Sequence, residues 1–144
     1  MTDTERKYVL GIDQGTTSSR TILFNHAGEV VSVGQLEHEQ IFPHAGWVEH
    51  DPMEIWDNVR QTVGMALGQA QSNHHEVAAV GITNQRETTI IWDRATGEPV
   101  YNAIVWQDAR SQDIVDRLAA DGGPDRFRAT VGETLSTYAS ITEI

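Results

Sequence analysis

The sequence contains no cysteine, which excludes disulfides and thiolate metal sites and agrees with a reducing compartment. Lysine is almost absent as well: Lys7 stands alone among 10 basic residues, which face 21 acidic ones and leave a formal net charge of −11. That excess of negative charge opposes non-specific binding to nucleic acid or to an anionic membrane, since both are polyanions. Long apolar runs are missing. No stretch approaches the ~18 residues of a membrane span, and the polar start Thr2 to Lys7 has no signal-peptide core behind it. Repeats, linkers and low-complexity stretches are also lacking. These absences predict a cytoplasmic chain with no nucleic-acid partner and no membrane insertion, and 144 residues at 39% hydrophobic content suit one globular domain with a real core.

What is present is concentrated early. Gly11-Ile12-Asp13-Gln14-Gly15-Thr16-Thr17-Ser18-Ser19-Arg20 directly follows the apolar Tyr8-Val9-Leu10, so a carboxylate, a glycine turn, four hydroxyls and a guanidinium crowd one strand end. Glycine permits a tight turn whose backbone N–H groups face phosphate oxygens, and Asp13 is an oxygen ligand of the kind Mg²⁺ prefers. The GK[ST] ending of a P-loop is absent. An ordinary β-hairpin is the competing reading, because Gln14-Gly15 can turn a chain and Thr16 to Ser19 are good strand residues.

Further along, Tyr8 to Ile12, Thr21 to Phe24 and Val30 to Val33, the last running on towards Gln40, read as a three-stranded meander with a turn at Asn25 to Glu29. Asp51-Pro52-Met53-Glu54 is a helix start, and Ile55, Val59, Val63, Ala66, Leu67 and Ala70 give that helix one apolar face ending near Gln71. Val77 to Thr83, Thr88 to Trp92 and Ala103 to Trp106 read as strands, and Ser111 to Ala120 as a second helix closed by Gly122-Gly123-Pro124. A meander followed by a helix crossing to another strand implies an α/β mixed sheet with covering helices.

The Asp-x-Gly-Thr-Thr turn in that element order resembles the ribonuclease-H-like fold of actin, Hsp70 and sugar kinases. With Gly46 to Pro52, Gly81 to Thr89 and Asn102 to Asp108, the chain from about residue 8 to residue 132 resembles the glycerol kinases of the FGGY carbohydrate kinase family. The resemblance implies ATP-dependent phosphorylation of glycerol to sn-glycerol 3-phosphate, with ATP and Mg²⁺ as cofactors. Thr16, Thr17, Ser18 and Arg20 would contact the nucleotide, Asp13 would hold Mg²⁺, and Arg86, Glu87 and Tyr138 would bind glycerol with Trp106 as an apolar wall. A five-donor guanidinium beside an acceptor carboxylate suits a polyol, each of whose hydroxyls donates and accepts. Adjacent strand residues point to opposite faces, so Arg86 and Glu87 can share a site only if the strand has ended or bulged there.

Plainer readings compete. Arg86-Glu87 also reads as a solvated surface pair, Trp106 as core, and Trp47 to Asp51 as residues that only shape the loop leading into the helix. His38, His44 and His50 recur every six residues without metal-ligand spacing and are expected to be solvated or locally bonded. After Gly132 the family pattern falters. Tyr138, Ser140 and Thr142 fit it, but its Asp-Pro pair and its Lys are replaced, the Lys by Glu143. The resemblance places the base aspartate and a second domain beyond residue 144, so residues 1–144 are expected to be the N-terminal portion of the first kinase domain with an atypical tail at 133–144. No catalytic residue is then expected in this chain, nor kinase activity from it alone. Apolar surface left uncovered would favour homo-oligomers. Another FGGY polyol or sugar kinase, or a non-catalytic remnant that binds a ligand or partner, are the alternatives.

Overall fold

The computed structural model describes residues 6–142. In chain order it holds β1 (Tyr8–Gln14), β2 (Ser18–Phe24), β3 (Val30–Glu37), β4 (Glu49–His50), α1 (Pro52–Gln69), β5 (Val77–Thr83), β6 (Ala103–Ile104), α2 (Gln112–Ala119) and α3 (Arg128–Val131). Two compact units divide the chain, Met1–Glu39 with Met53–Gln85, and Gln40–Pro52 with Arg86–Ile144.

Local turn chemistry sets the meander of the first unit. Asn25 Oδ1 accepts from the amides of Ala27 and Glu29 at 2.9 and 3.0 Å, and Gly28 takes the left-handed φ of 77° that lets β2 return as β3. The sheet order is β3-β2-β1-β5, antiparallel through the meander and parallel between β1 and β5. This is the mixed sheet that the element order implies.

Alternation along β2 sends Ser19, Thr21 and Leu23 to the covered face, where each is fully buried. Leu23 lies opposite Leu10 of β1 and forms the apolar centre with it. α1 packs on this face through unusually polar contacts: Thr21 Oγ1 meets Thr62 Oγ1 at 2.9 Å, and Ser32 Oγ donates to the Ala66 carbonyl at 2.7 Å. Gly34 is required there, because a Cβ would collide with the Thr62 carbonyl and stand 2.9 Å from Met65 Cβ. On β5 the sheet ends uncovered. Val80 and Ile82 are 56% and 73% exposed, and a groove of ≈ 440 Å³ runs between β5 and Leu10, Ile12, Val63 and Leu67.

The second unit has little regular structure and a polar interior. β4 pairs antiparallel with β6, Glu49 opposite Ile104 and His50 opposite Ala103. Three backbone-directed bonds staple the segment after β6 to the segment before β4: Val105 N to Val48 O at 3.1 Å, Ala109 N to Gly46 O at 2.9 Å, and Val48 N to Asp108 Oδ2 at 2.6 Å. Val105 and Ala103 are fully buried between them.

Several boundaries differ from the sequence expectation. β1 runs to Gln14, two residues past Ile12, because Asp13 and Gln14 find partners in Arg20 and Ser19 of β2. β3 stops at Glu37, short of Gln40, where the His38 amide turns to the Thr17 carbonyl at 3.3 Å. The strand expected at Thr88 to Trp92 is reduced to single bridges, Thr89 with Ile104 and Trp92 with Pro99, since β propensity is realised only against a neighbouring strand. The strand expected at Ala103 to Trp106 keeps only its first two residues, paired with the unforeseen β4. Glu143 lies outside the described residues. Among the described residues no helix is long and apolar enough to cross a membrane.

Candidate functional site

The first unit carries the phosphate-type residues at the joint of β1 and β2. Gly15 closes the joint, its amide donating to the Ser18 carbonyl at 3.0 Å. His38, only 5% exposed, braces it from outside, the amide to Thr17 O at 3.3 Å and Nε2 against Thr16 O at 2.9 Å. The carbonyls of Thr16, Thr17 and Ser18 are therefore all engaged within the protein, while the exposed Thr17 hydroxyl makes no hydrogen bond among the described residues. The joint is a β-hairpin and a candidate phosphate turn at once, so the two readings do not exclude each other.

Because Thr21 faces α1, Ser18 and Arg20 project from the opposite face of β2. Asp13 lies directly across from Arg20 on β1 and shares that face. Gln35 of β3 ties the row, accepting from Arg20 Nε at 3.0 Å and donating to Ser18 Oγ at 3.2 Å. Among the described residues the Asp13 carboxylate has no hydrogen bond and no ion pair, Arg20 included. An unengaged carboxylate at the carboxyl end of β1, where β5 also ends, fits one oxygen ligand of a divalent cation whose other positions are filled by water or phosphate. No group of three His, Cys, Asp or Glu side chains that could hold a metal occurs among the described residues.

The second unit collects the acceptor-type residues. β5 has ended at Thr83, and Arg86 and Glu87 stand in a turn, which meets the condition for both to serve one site. Glu87 has φ 51°, a left-handed backbone rare for a residue other than glycine and shared among the described residues only by Gln71. Its Oε2 accepts from the Ser140 amide and hydroxyl, both at 3.0 Å. Trp106 is half-buried and meets Tyr138 edge to face, ring centroids 5.5 Å apart. Arg86 is exposed and makes no hydrogen bond or ion pair among the described residues. Glu87, Trp106 and Tyr138 are thus drawn together through residues 138–140, and Arg86 sits beside Glu87 in sequence with its donors unengaged.

Sequence reasoning missed three supporting residues. Ser140 fits the family pattern, but its two bonds to Glu87 join residues 53 apart and leave no local signal in the sequence. His38 was one of three evenly spaced histidines, and its support of the turn is legible only in space. Both it and His50, which meets Gln40 Oε1 at 2.9 Å, are buried and locally bonded, whereas His44 packs edge-on to Trp47 at 4.8 Å. Arg110 belongs to none of the sequence motifs, yet it organises the interior of the second unit. Its Nη2 donates to Glu49 Oε1 at 2.6 Å and to Asp108 Oδ2 at 2.8 Å, and Glu49 also accepts from Tyr101 and Asn102, each at 2.9 Å. Burial pushes the Glu49 carboxyl up, but Asn102, Arg110 and Tyr101 outweigh it and hold the group below the usual carboxylate range. Asp108 is likewise pushed up by burial and brought lower overall by Arg110 and the Val48 amide. Trp47, Val48 and Glu49 are each held by this cluster, through the Arg110 guanidinium over the Trp47 ring, the Val48 amide on Asp108 and the Glu49 carboxylate.

Comparison with known proteins places these residues in context. The model of the FGGY family of carbohydrate kinases, N-terminal domain, matches residues 8–144, the 133–144 tail included. The glycerol kinase of Clavibacter michiganensis subsp. michiganensis is 68% identical over 138 residues, covering 96% of this chain and 27% of that protein. Among solved structures, Plasmodium falciparum glycerol kinase with ADP aligns with a TM-score of 0.85 at 36% identity over 96% of this chain and 28% of its own. Xylulose kinase from Rhodospirillum rubrum aligns with the same TM-score at 27% identity, over 95% and 28%. The chain spans about a quarter of the length of the curated relatives it matches, 27% in the first three. Its mixed sheet is part of the ribonuclease-H-like fold of the sugar kinases, present as a partial domain. From residue 8 onwards, the chain belongs to the FGGY family of carbohydrate kinases and matches its N-terminal domain.

Proposed function

We propose that the chain supplies phosphate-binding and acceptor-binding parts of a cytoplasmic, ATP-dependent glycerol kinase, which transfers the γ-phosphate to a terminal hydroxyl and releases sn-glycerol 3-phosphate. The observation that carries the reading is the grouping of Glu87, Trp106 and Tyr138 in one unit, with Glu87 held in a left-handed turn. The 68% identity to a glycerol kinase supports glycerol as the acceptor, and the ADP-bound relative supports an adenine nucleotide as the donor.

In this reading Arg86 donates to two glycerol oxygens and Glu87 accepts from a hydroxyl, while Trp106 and Tyr138 cover the carbon chain. Thr16, Thr17 and Ser18 contact the phosphates, Arg20 contacts the nucleotide, and Asp13 holds Mg²⁺ directly or through water. Bound there, the cation would neutralise charge on the transferring phosphoryl group. No residue of this chain is assigned as the base that takes the acceptor proton. Residues 1–144 form the N-terminal portion of the first kinase domain, with 133–144 as its atypical tail. Exposed Val80 and Ile82 on β5 favour self-association, which sedimentation would register as a mass above that of the monomer.

Calorimetry with glycerol and with Mg-ADP tests the reading. Binding of both, with pentoses and pentitols binding more weakly than glycerol, is the expected result. Preference for a pentose or pentitol would move the acceptor to another member of the family. Absence of both interactions would leave a scaffold without a ligand. Phosphoryl transfer is not expected from this chain alone, and robust glycerol-dependent ATP turnover by it would overturn that part.

A further inference from the structure

Glu87 is held at one oxygen only. The Ser140 amide and hydroxyl both donate to Oε2 at 3.0 Å, while Oε1 receives no bond among the described residues. Bonds from two donors to an ionised oxygen are of the strong, charge-assisted kind. Ser140 is itself anchored: it opens a 3-10 turn, Ser140–Thr142, in which Thr142 Oγ1 donates to the Ala139 carbonyl at 2.9 Å and meets Ser111 Oγ at 3.0 Å. Ser111 and Thr142 are 4% and 2% exposed, so the turn is tied to the buried start of α2. Two residues earlier, Tyr138 rests against Trp106.

A glutamate side chain free to rotate loses rotamer entropy when it captures a ligand, and pinning it beforehand removes that cost from binding. We propose that Ser140 is a positioning residue for the acceptor. It fixes the Glu87 carboxylate so that Oε1 alone accepts from a hydroxyl of a small polyol, which makes the contact monodentate and orients one hydroxyl. The inference rests on the reading of Glu87 as an acceptor ligand.

The test compares Ser140→Ala with Ser140→Thr. The first removes the hydroxyl bond and the second retains it. Glycerol affinity, Mg-ADP affinity and melting temperature are measured for each and for the unaltered protein. The expected result is glycerol binding weakened about tenfold in Ser140→Ala, restored in Ser140→Thr, with nucleotide affinity unchanged in both. A merely structural role would weaken both ligands together and lower the melting temperature, and that outcome overturns the inference. Glycerol binding by Ser140→Ala equal to that of the unaltered protein also overturns it and leaves the proposed function standing. No glycerol binding by the unaltered protein overturns the proposed function and takes the inference with it. Should Ser140→Ala fail to fold, the Ser140 amide proton resonance decides. Bonded to a carboxylate, it must move upfield in Glu87→Gln, and a resonance that stays in place sinks the contact.

Discussion

The guanidinium of Arg110 donates to Glu49 at 2.6 Å while lying 3.7 Å over the ring of Trp47. One cation thereby joins residues 47–49 to residues 108–110, segments sixty residues apart in sequence, inside a unit whose regular structure is too short to hold itself together. Removing one member of a buried ion group strands the others without a counter-charge. Arg110→Ala is expected to lower the stability of the second unit by ~3 kcal/mol, with Arg110→Lys recovering only part of it because an ammonium cannot reproduce the fork that reaches both carboxylates. Urea unfolding measures the loss, and hydrogen exchange at the Val48, Val105 and Ala109 amides locates it.

The same cluster sets an acid limit. Glu49 and Asp108 both lie below their ordinary values in the folded protein, so the unfolded chain binds protons more readily than the folded one as pH falls. Their contribution is fully present above the unfolded carboxylate values, about 4.3 for Glu and 3.9 for Asp, and is lost as pH drops through the lower folded values. Melting temperature is expected to hold from pH 7 to about 5 and fall below about 4. Asp108→Asn should start lower at neutral pH and lose less on acidification, and an unchanged slope would contradict the assignment.

Two buried hydroxyls make an asymmetric pair. Thr62 Oγ1 donates to the Val59 carbonyl at 3.0 Å, which leaves Thr21 as the donor in its 2.9 Å contact with Thr62. Thr62→Val deprives the fully buried Thr21 hydroxyl of its acceptor and is expected to cost about 2 kcal/mol. Thr21→Val leaves Thr62 bonded to Val59 and should cost under about 1 kcal/mol. The double variant should be no worse than Thr62→Val alone. A larger loss from Thr21→Val than from Thr62→Val in urea unfolding would show that the donor order is reversed, and equal losses would contradict the asymmetry.

Gly34 offers no room. Gly34→Ala would drive a methyl into the Thr62 carbonyl and Met65 Cβ, neither of which is the loose end of a long side chain, so α1 must shift off the sheet. A loss of about 2–3 kcal/mol is expected by chemical unfolding, whereas Gly64→Ala on exposed α1 surface, with nothing within 4 Å of the added carbon, should stabilise slightly.

Arg86 provides the opposite case. It is exposed and unengaged, so Arg86→Ala should leave the melting temperature within about a degree while reducing glycerol affinity by tenfold or more in calorimetry. Retained affinity would remove Arg86 from the acceptor site.

The first unit was largely legible because its signals are local. Asn25 and Gly28 carry their own turn and Pro52 marks the first residue of α1, whereas along β2 the covered face of Ser19, Thr21 and Leu23 is no more apolar than the open one and shows only in the burial. The second unit was less so. Thr88 to Trp92 has the composition of a strand but lacks a continuous neighbour, and β4 owes its existence to Ala103 and Ile104, more than fifty residues away. The motifs named Arg86, Glu87, Trp106 and Tyr138, but not Ser140 as the donor to Glu87, nor Arg110 as the centre of the polar interior. No periodicity runs from residue 49 to 110 or from 87 to 140, so such bonds have no imprint on the linear pattern.

The left-handed backbone at Glu87 sets thermal endurance against chemistry. Glycine or asparagine would relieve about 1 kcal/mol of torsional strain at that position, and neither brings a carboxylate. A library selected only for survival of heating should therefore converge on Asn or Gly at residue 87 and discard the carboxylate proposed to grip the polyol, so improvement by that route would raise the melting point and remove the proposed acceptor ligand in a single step.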